Sequence, residues 1–392
     1  MNKDTLKPKN QEFIKNNLNS DTVSLLLKKH PELDIDTKTL IEQIEAKKKC
    51  ETKLPTWYNT PKIYYPNKLN IEQTSSEITA LYKSKLVTGN TIIDLTGGFG
   101  VDCYFFSKHF KKVTHCEIND TLSQIVAHNL KQLGTENIQT EAVDGLKYLN
   151  ENTNTYDCIY IDPSRRHDSK GKVFLLSDCL PNVPEHLDLL FSKSNSILIK
   201  TSPLLDISIG LNELKWVKTI HVVAVNNEVK ELLWLLEKGN KNPIEVKTIN
   251  LTKTSESYFN FELETEKTIH PKFSLPLSYL YEPNAAILKS GAFKSVAIKL
   301  NVFKLHQHSH LYTSQAYIDF PGRCFKIKEI LPYNKRVLKK KAPKQANVTT
   351  RNFPETVQQI RKKLNIKDGG KTYLFFTTNL EEERIVIICE KE

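Results

Sequence analysis

Four acidic residues, the first followed at once by glycines, carry the chemistry of this sequence. Asp94 closes the apolar run Ile92-Ile93 and leads through Leu95-Thr96-Gly97-Gly98-Phe99-Gly100 into the segment Val101 to Phe110. An acid ending a buried strand, then glycines that let the backbone turn into a helix and approach a ligand closely, suits a nucleoside-bearing cofactor. A dinucleotide fingerprint would read G-x-G-x-x-G with its acid about 20 positions later. Here the acid precedes the glycines, where it repels a pyrophosphate but attracts the ammonium of an amino acid. S-adenosylmethionine carries that ammonium and NAD does not, so Asp94, Thr96, Gly97, Gly98 and Gly100 are the expected cradle of S-adenosylmethionine.

The elements that position this loop repeat its pattern. Val113-Thr114-His115-Cys116 reads as a second strand ending in Glu117, where a carboxylate can accept both ribose hydroxyls. Helical spacing from Leu122 to Leu133, stopped by Gly134, leads through Ile138-Gln139-Thr140 to Asp144, which could accept the adenine amino group. Tyr156-Asp157-Cys158-Ile159-Tyr160-Ile161 is a short apolar strand that delivers Asp162-Pro163-Ser164-Arg165-Arg166 to the same edge of a parallel sheet. A lone Asp at a strand end is commonly a turn former or helix cap, and Glu117 or Asp144 taken singly reads that way. Four such acids in order, alternating with helical patterns, predict an α/β chain with a ligand at its strand ends.

From about Tyr64 to Glu237 these residues resemble the class I S-adenosylmethionine-dependent methyltransferases. The resemblance implies a Rossmann-like core with S-adenosylmethionine as cofactor. It further implies that the glycine loop lies under the methionine part, that Glu117 binds ribose, that Asp144 lies near adenine and that Asp162 borders the transfer site. Leu69 to Glu77 resembles the segment that closes over the methionine end in such enzymes; capping of a helix through Tyr82 by Thr74, Ser75 or Ser76 reads equally well.

The fourth motif bears on the acceptor. In D-P-P-Y enzymes an acidic or amide residue and a proline carbonyl hold an exocyclic amine while the aromatic stacks on the flipped base. Ser164 and Arg165 stand here in place of the second proline and the aromatic, closer to the D-P-P-R form of some RNA methyltransferases. Asp162 is the expected catalytic residue, bonding an amine or accepting its proton, with Arg165 beside it. Arg165 and Arg166 could grip a phosphate or orient the substrate, or be plain surface residues. Methylation of a pyrimidine carbon needs a cysteine nucleophile. Cys158 lies within the strand and Cys179 has no nucleophile motif around it, so carbon transfer is the lesser reading. Lys200, ending Ser196-Ile197-Leu198-Ile199, would face the same rim and is read as a solvated lysine rather than a catalyst.

A chain of 392 residues exceeds one such core and predicts two to four domains, while 39% hydrophobic and 26% charged residues describe a globular protein rather than a disordered one. The polar start Met1-Asn2-Lys3-Asp4, without an apolar signal core, and the lack of any membrane-length run predict a cytoplasmic protein without a membrane partner. Seven scattered cysteines with no C-x-x-C pair predict reduced thiols and no metal. A net charge of +11 favours polyanionic partners, and its distribution is more specific. Lys335, Arg336, Lys339, Lys340, Lys341 and Lys344 occur with no intervening acid, the footprint of an RNA-binding surface or of a solvated basic face. Lys339, Lys340 and Lys341, with Arg165 and Arg166, are the expected substrate-binding residues.

Glu12 to Lys29 and Ile35 to Lys49 have helical apolar spacing, and Pro55, Pro61 and Pro66 punctuate an extended aromatic linker whose rings pack on the core or stack bases. Strands are expected at Val217 to Val225 and Lys230 to Leu236 around Asn226-Asn227, then at Ile244 to Leu251 and Tyr258 to Leu263. A new α+β module begins near Pro271, with a short helix from Tyr281 to Lys289, another from Pro354 to Leu364, and strands at Ala316 to Phe320, Cys324 to Ile327, Tyr373 to Phe376 and Ile385 to Ile388. This part resembles methyltransferases that carry a ferredoxin-like insert and a C-terminal THUMP-like domain. The resemblance rests on Tyr281-Glu282-Pro283-Asn284-Ala285-Ala286, Phe320-Pro321-Gly322-Arg323, Arg351-Asn352-Phe353-Pro354 and Lys367-Asp368-Gly369-Gly370. THUMP domains accompany enzymes that modify structured RNA, so the resemblance implies tRNA or rRNA as substrate. His306, His308 and His310 alternate but are read as imidazoles on a solvated loop.

The expected organisation is an N-terminal helical domain over 1–55, a methyltransferase domain over 56–268, a ferredoxin-like domain over 269–316 and a THUMP-like domain over 317–392. The expected function is S-adenosylmethionine-dependent methylation of RNA. A methyltransferase acting on protein or a small molecule, and a noncatalytic RNA-binding protein that keeps the fold, are the alternatives.

Overall fold

The computed structural model describes residues 1–28, 30, 33, 35–165 and 175–392, with Arg165 described by its backbone alone. The chain divides into two compact units, Met1–Lys218 with Leu232–Lys241, and Thr219–Glu231 with Asn242–Glu392.

The first unit opens with helices α1 (Pro8–Asn16), α2 (Thr22–Leu27), α3 (Thr37–Lys53), α4 (Pro55–Asn59), α5 (Lys68–Gln73) and α6 (Glu77–Ser84). Pro8 and Pro55 occupy first turns, where a missing N–H costs nothing, and the side chains of Asp21, Asp36, Asn67 and Ser76 cap the other four. Ile14, Leu25, Leu40, Ile41 and Ile44 bury one cluster between α1, α2 and α3. A second core joins Ala46, Cys50, Leu54 and Trp57 to Phe99, Val101, Leu122 and Ile125, each fully buried apolar side chain contributing about 1.5–3 kcal/mol. The segment from Pro55 to Tyr65 was expected to be extended, yet it begins with the turn of α4. The cause is Glu77, whose carboxylate accepts the Thr56 N–H at 2.6 Å and its hydroxyl at 2.7 Å. Trp57 is 1% exposed and packs edge-on to Tyr104, so this aromatic belongs to the core and is closed to base stacking.

The sheet of this unit is built from β1 (Thr91–Asp94), α7 (Val101–Phe106), β2 (Lys112–Cys116), α8 (Asp120–Gln132), β3 (Ile138–Glu141), α9 (Gly145–Glu151) and β4 (Cys158–Ile161). The short hairpin β5 (Ser164–Arg165) and β6 (Cys179–Leu180) follows, then α10 (Val183–Lys193), β7 (Ser196–Thr201) and α11 (Ile207–Glu213). Parallel pairing sets β3, β2, β1, β4 and β7 side by side. Every residue of β4 is buried, as a parallel strand covered by helices on both faces requires. Strand order reverses between β1 and β4, which opens a crevice at their C-terminal ends. The hairpin of β8 (Val217–Val225) and β9 (Glu228–Glu237) belongs to both units, and Leu232–Glu237 runs antiparallel to β7. Its turn uses Asn226 and Asn227 at φ 51° and 64°, a left-handed pair that asparagine tolerates.

In the second unit, Thr219–Val225 of β8 pairs with β10 (Glu245–Leu251), which pairs with β11 (Glu256–Glu262). After α12 (Leu263–Thr268) come β12 (Tyr279–Pro283), α13 (Ala285–Ser290), α14 (Phe293–Lys299), β13 (Phe303–Lys304), β14 (Tyr312–Ser314) and β15 (Gly322–Pro332). The chain ends with α15 (Lys335–Lys341), β16 (Asn347–Arg351), α16 (Val357–Leu364), β17 (Thr372–Thr378) and β18 (Arg384–Lys391). A seven-stranded sheet results, in the order β13, β14, β12, β15, β18, β17, β16. Two expectations fail here. Tyr281 to Pro283 is strand rather than helix, the helix starting after Asn284, whose side chain caps it. Ala316 to Phe320 forms no strand, because the Tyr281 hydroxyl takes up its backbone groups, accepting from the Ile318 N–H at 3.1 Å and donating to the Ala316 carbonyl at 3.3 Å.

Candidate functional site

The glycine loop lies over the crevice between β1 and β4, and each glycine answers a separate steric demand. A Cβ on Gly97 would fall 2.3 Å from the imidazole of His115, itself fully buried in β2. One on Gly100, at φ +75°, would meet Val126 at 2.8 Å. Gly98 differs: at φ +53° its Cβ would find only the Thr96 carbonyl at 3.8 Å, so this glycine borders open space where a ligand can approach the backbone. The loop is fixed from below by the Gly97 N–H donating to the Cys116 carbonyl at 2.8 Å. Burial pushes the His115 pKa down to about 4, so a neutral ring supports the loop.

Asp94 is 2% exposed and spends both oxygens inside this structure. Oδ1 accepts the Thr96 N–H at 2.9 Å and Oδ2 accepts the Cys103 thiol at 3.4 Å. Burial is the main cause that pushes its carboxyl up to about 7, with Asp102 and Asp162 adding to it. A carboxyl whose folded pKa lies above its unfolded value holds its proton more tightly in the native state. Stability therefore falls as pH rises from about 4 to about 7 and is level above. Asp94→Asn should remove this slope, worth roughly 4 kcal/mol across the window, in urea unfolding followed from pH 4 to 8. Parallel slopes in variant and parent would show that Asp94 does not titrate there.

The remaining acids sit at the ends of their strands. Glu117 accepts the Gly98 N–H at 3.0 Å and the Asn119 N–H at 2.7 Å, and its carboxylate retains lone pairs for two hydroxyls. Asp144 is exposed and caps α9, its Oδ1 accepting the Lys147 N–H at 3.0 Å. Asp162 follows β4, and its N–H donates to the Thr96 hydroxyl at 2.7 Å, which joins the ends of β1 and β4. Its Oδ2 holds the ammonium of Lys200. Lys200 was expected to be solvated. It is 13% exposed instead, because the β4 and β7 register pairs Ile161 with Ile199 and sets the next residues, Asp162 and Lys200, side by side. Asp162 is 32% exposed, and its Oδ1 has no partner among the described residues. Arg166 lies outside the described residues, as does the side chain of Arg165.

Beneath the site is a charge network that apolar patterning did not reveal. Lys83 of α6 is fully buried, with its ammonium 3.1 Å from Asp102 Oδ1 and 2.8 Å from the Ser75 hydroxyl. Asp102 Oδ2 accepts from Ser75 at 2.8 Å and from the Tyr160 hydroxyl at 2.9 Å. Burial alone would raise the Asp102 pKa, but Lys83, Lys200 and these hydrogen bonds outweigh it and hold the carboxyl below its ordinary value. Ser75 thus fastens the segment 69–77 to α7, while Ser76 caps α6 through the Thr79 N–H. Ala80, Lys83 and Ser84 share the buried face of α6, and a lysine at that helical spacing is the signal a sequence reader could have used.

Cysteine chemistry finds no support in this geometry. Cys158 is fully buried, which pushes its thiol up to about 12, and Cys179 is equally enclosed. The alternating histidines differ from one another: His308 is exposed in a turn, as expected, whereas His306 is not solvated. His306 is 5% exposed, with Nε2 2.9 Å from Glu382 and Nδ1 2.9 Å from the Asn352 amide, partners far away in sequence. Among the described residues no group of three or more His, Cys, Asp or Glu is placed to hold a metal ion, and no helix is long and apolar enough to cross a membrane. Lys339, Lys340 and Lys341 are exposed in the last turn of α15, anchored by the buried Leu338. Lys341 pairs with Glu329, whereas Lys339 and Lys340 have no acidic partner among the described residues.

The strand order, glycine loop and acids define a Rossmann-like methyltransferase core. A ferredoxin-like domain model matches residues 279–321, and a THUMP domain-like model matches residues 322–391. Among solved structures, a "putative methyltransferase" from Porphyromonas gingivalis W83 is 34% identical, with 97% of each chain covered and a TM-score of 0.87. An rRNA methylase from Streptococcus thermophilus is 15% identical over 41% of this chain and 94% of that chain, with a TM-score of 0.31. The tRNA m1G37 methyltransferase of M. jannaschii is 16% identical over 43% of this chain and 51% of that chain, also with a TM-score of 0.31. Overlaps of that extent say nothing of what this chain acts on. No curated protein matches the sequence. The chain belongs to the family of that Porphyromonas gingivalis protein, and its own core is followed by ferredoxin-like and THUMP-like domains.

Proposed function

We propose that the protein transfers a methyl group from S-adenosylmethionine to RNA, tRNA or rRNA being the substrate class. The observation that carries this reading is the convergence of Gly98, Glu117 and Asp162 at the switch point between β1 and β4. The residues fit the cofactor: Gly98 leaves backbone open, Glu117 keeps acceptor capacity for ribose, Asp144 stands exposed near the third strand end, and Asp94, both oxygens engaged, braces the loop from within. When bound, the cofactor supplies a sulfonium whose methyl group is already electrophilic. The chain's own part is orientation. Lys200 occupies one oxygen of Asp162 and Thr96 holds its backbone, so the other oxygen is presented to an N–H of the acceptor in a fixed direction. Arg165 and Arg166 follow Asp162 in the sequence and are the proposed substrate-binding residues of this motif.

The test is incubation of the full chain with labelled S-adenosylmethionine and RNA from a strain lacking the gene, followed by nucleoside mass spectrometry. A methylated nucleoside is expected. Label found only in protein or small molecules would instead favour those acceptors. RNA should be held mainly through phosphates, so affinity should fall with salt. Replacing Lys339, Lys340 and Lys341 together with Gln should lower RNA affinity and flatten the salt dependence by about 0.7–0.9 for each phosphate no longer neutralised, leaving cofactor binding unchanged. Lys339 and Lys340 should account for most of this, since Lys341 is shared with Glu329. A triple variant that binds RNA like the parent across a salt series would make α15 a solvated face.

A further inference from the structure

Three of the four motifs that distinguish the C-terminal half meet at one carboxylate. Glu282 on β12 is 3% exposed. Its Oε2 accepts from Arg323 Nε at 2.6 Å and pairs with Arg323 Nη2, while its Oε1 accepts from Arg351 Nε at 3.0 Å with Arg351 Nη2 2.8 Å away. Arg323 stands directly opposite Glu282 in the β12 and β15 ladder, whereas Arg351 arrives from the end of β16. Gly322 lets the two strands meet here, for a Cβ on it would lie 2.1 Å from the Glu282 carbonyl.

One bidentate arginine neutralises one carboxylate. The second leaves the cluster with one excess positive charge. Each guanidinium gives the same Nε and Nη2 edge to Glu282, and neither Nη1 group has a partner among the described residues. The two side chains remain 36% and 37% exposed. Each fork is thus held by one charge-assisted hydrogen bond from Nε and an ion-pair contact from Nη2, which orients its unused donors and leaves less rotamer entropy to lose.

We propose that the free edges of Arg323 and Arg351 form a phosphate-binding site that takes a backbone phosphate of the RNA substrate. The site rests on the RNA reading above and is separate from the lysines of α15. A planar guanidinium pair suits the tetrahedral oxygens of a phosphodiester, and one bound phosphate makes the cluster neutral.

Opposite substitutions give opposite signs. Glu282→Gln removes the competing anion, so a labelled RNA stem-loop should bind roughly tenfold more tightly with a steeper salt dependence. Arg351→Gln should bind it roughly tenfold less tightly, its slope flattened by about 0.7–0.9. Thermal unfolding and S-adenosylmethionine affinity serve as controls for folding. If Arg351→Gln does not fold, Glu282→Gln with Arg351→Gln replaces it, since that pair leaves no uncompensated carboxylate and must bind less tightly than Glu282→Gln alone. A purely structural clamp predicts equal loss in both single variants or no change in either, and those results overturn the proposal. Absence of RNA binding by the parent chain at every salt concentration would instead sink the RNA reading, before any substitution is made.

Discussion

Asp162→Ala is expected to lower methyl transfer by about 10²-fold or more while S-adenosylmethionine affinity stays within a few-fold. The carboxylate is tied to the scaffold on two sides, by the Thr96 hydroxyl at its N–H and by Lys200 at Oδ2, so its remaining oxygen has one direction in which to act. An interaction of that kind orients the acceptor as charge redistributes and is felt in turnover rather than in cofactor binding. Alanine also removes one of the counter-charges of Lys200 in a site where it is 13% exposed, so Asp162→Asn belongs beside it as the isosteric control. Both variants should bind the cofactor by calorimetry and fail in the turnover assay, with asparagine retaining more activity where it can still accept a hydrogen bond. Turnover unchanged in Asp162→Ala would remove the residue from the mechanism.

Gly97→Ala should be the most damaging single change in the cofactor loop, more so than Gly98→Ala one position on. Its methyl group would sit 2.3 Å from the His115 ring, which has nowhere to go in a fully buried position, and such overpacking typically costs about 1–3 kcal/mol. The loop must lift, and with it the N–H that Gly98 directs at Glu117. Loss of stability and at least about tenfold loss of S-adenosylmethionine affinity should appear together, tenfold being about 1.4 kcal/mol. Gly98→Ala meets no atom closer than 3.8 Å and carries chiefly the strain of φ +53°, about 1–2 kcal/mol, so its effect should fall on ligand approach. Combining Gly97→Ala with His115→Ala makes the comparison decisive: relief of the clash predicts strong positive coupling, and simple additivity would show that the imidazole is not the obstacle.

What could be read from sequence, and what could not, divides by the distance over which a cause acts. The glycine loop and the acids after β1, β2 and β4 stand beside apolar runs that mark their strands, so local pattern placed them at the strand ends. The partners that make those acids work are remote. Lys200 lies 38 residues from Asp162 and meets it only through strand register, and the reading of it as solvated failed for that reason. His306 reaches Glu382 across 76 residues, which no local spacing could suggest. Lys83 is a nearer miss, since its place on the apolar face of a short helix was visible. Ala316 to Phe320 was misread because composition alone says strand, while a single tyrosine hydroxyl satisfied the backbone by another route.

The clamp on Glu282 bears on how this half of the chain can be cut, transplanted or shuffled. The two matched domain models abut between Pro321 and Gly322, and that junction looks like a natural place to divide a gene. A fragment beginning at Gly322 would leave Arg323 and Arg351 without their acid and would expose the edge of β15 along the ladder that β12 covers, an open template for aggregation. The complementary fragment would end with Glu282 deprived of both its cations. The ferredoxin-like and THUMP-like pieces are in this sense a single inheritable block, and a chimera that exchanges one must carry the other with it.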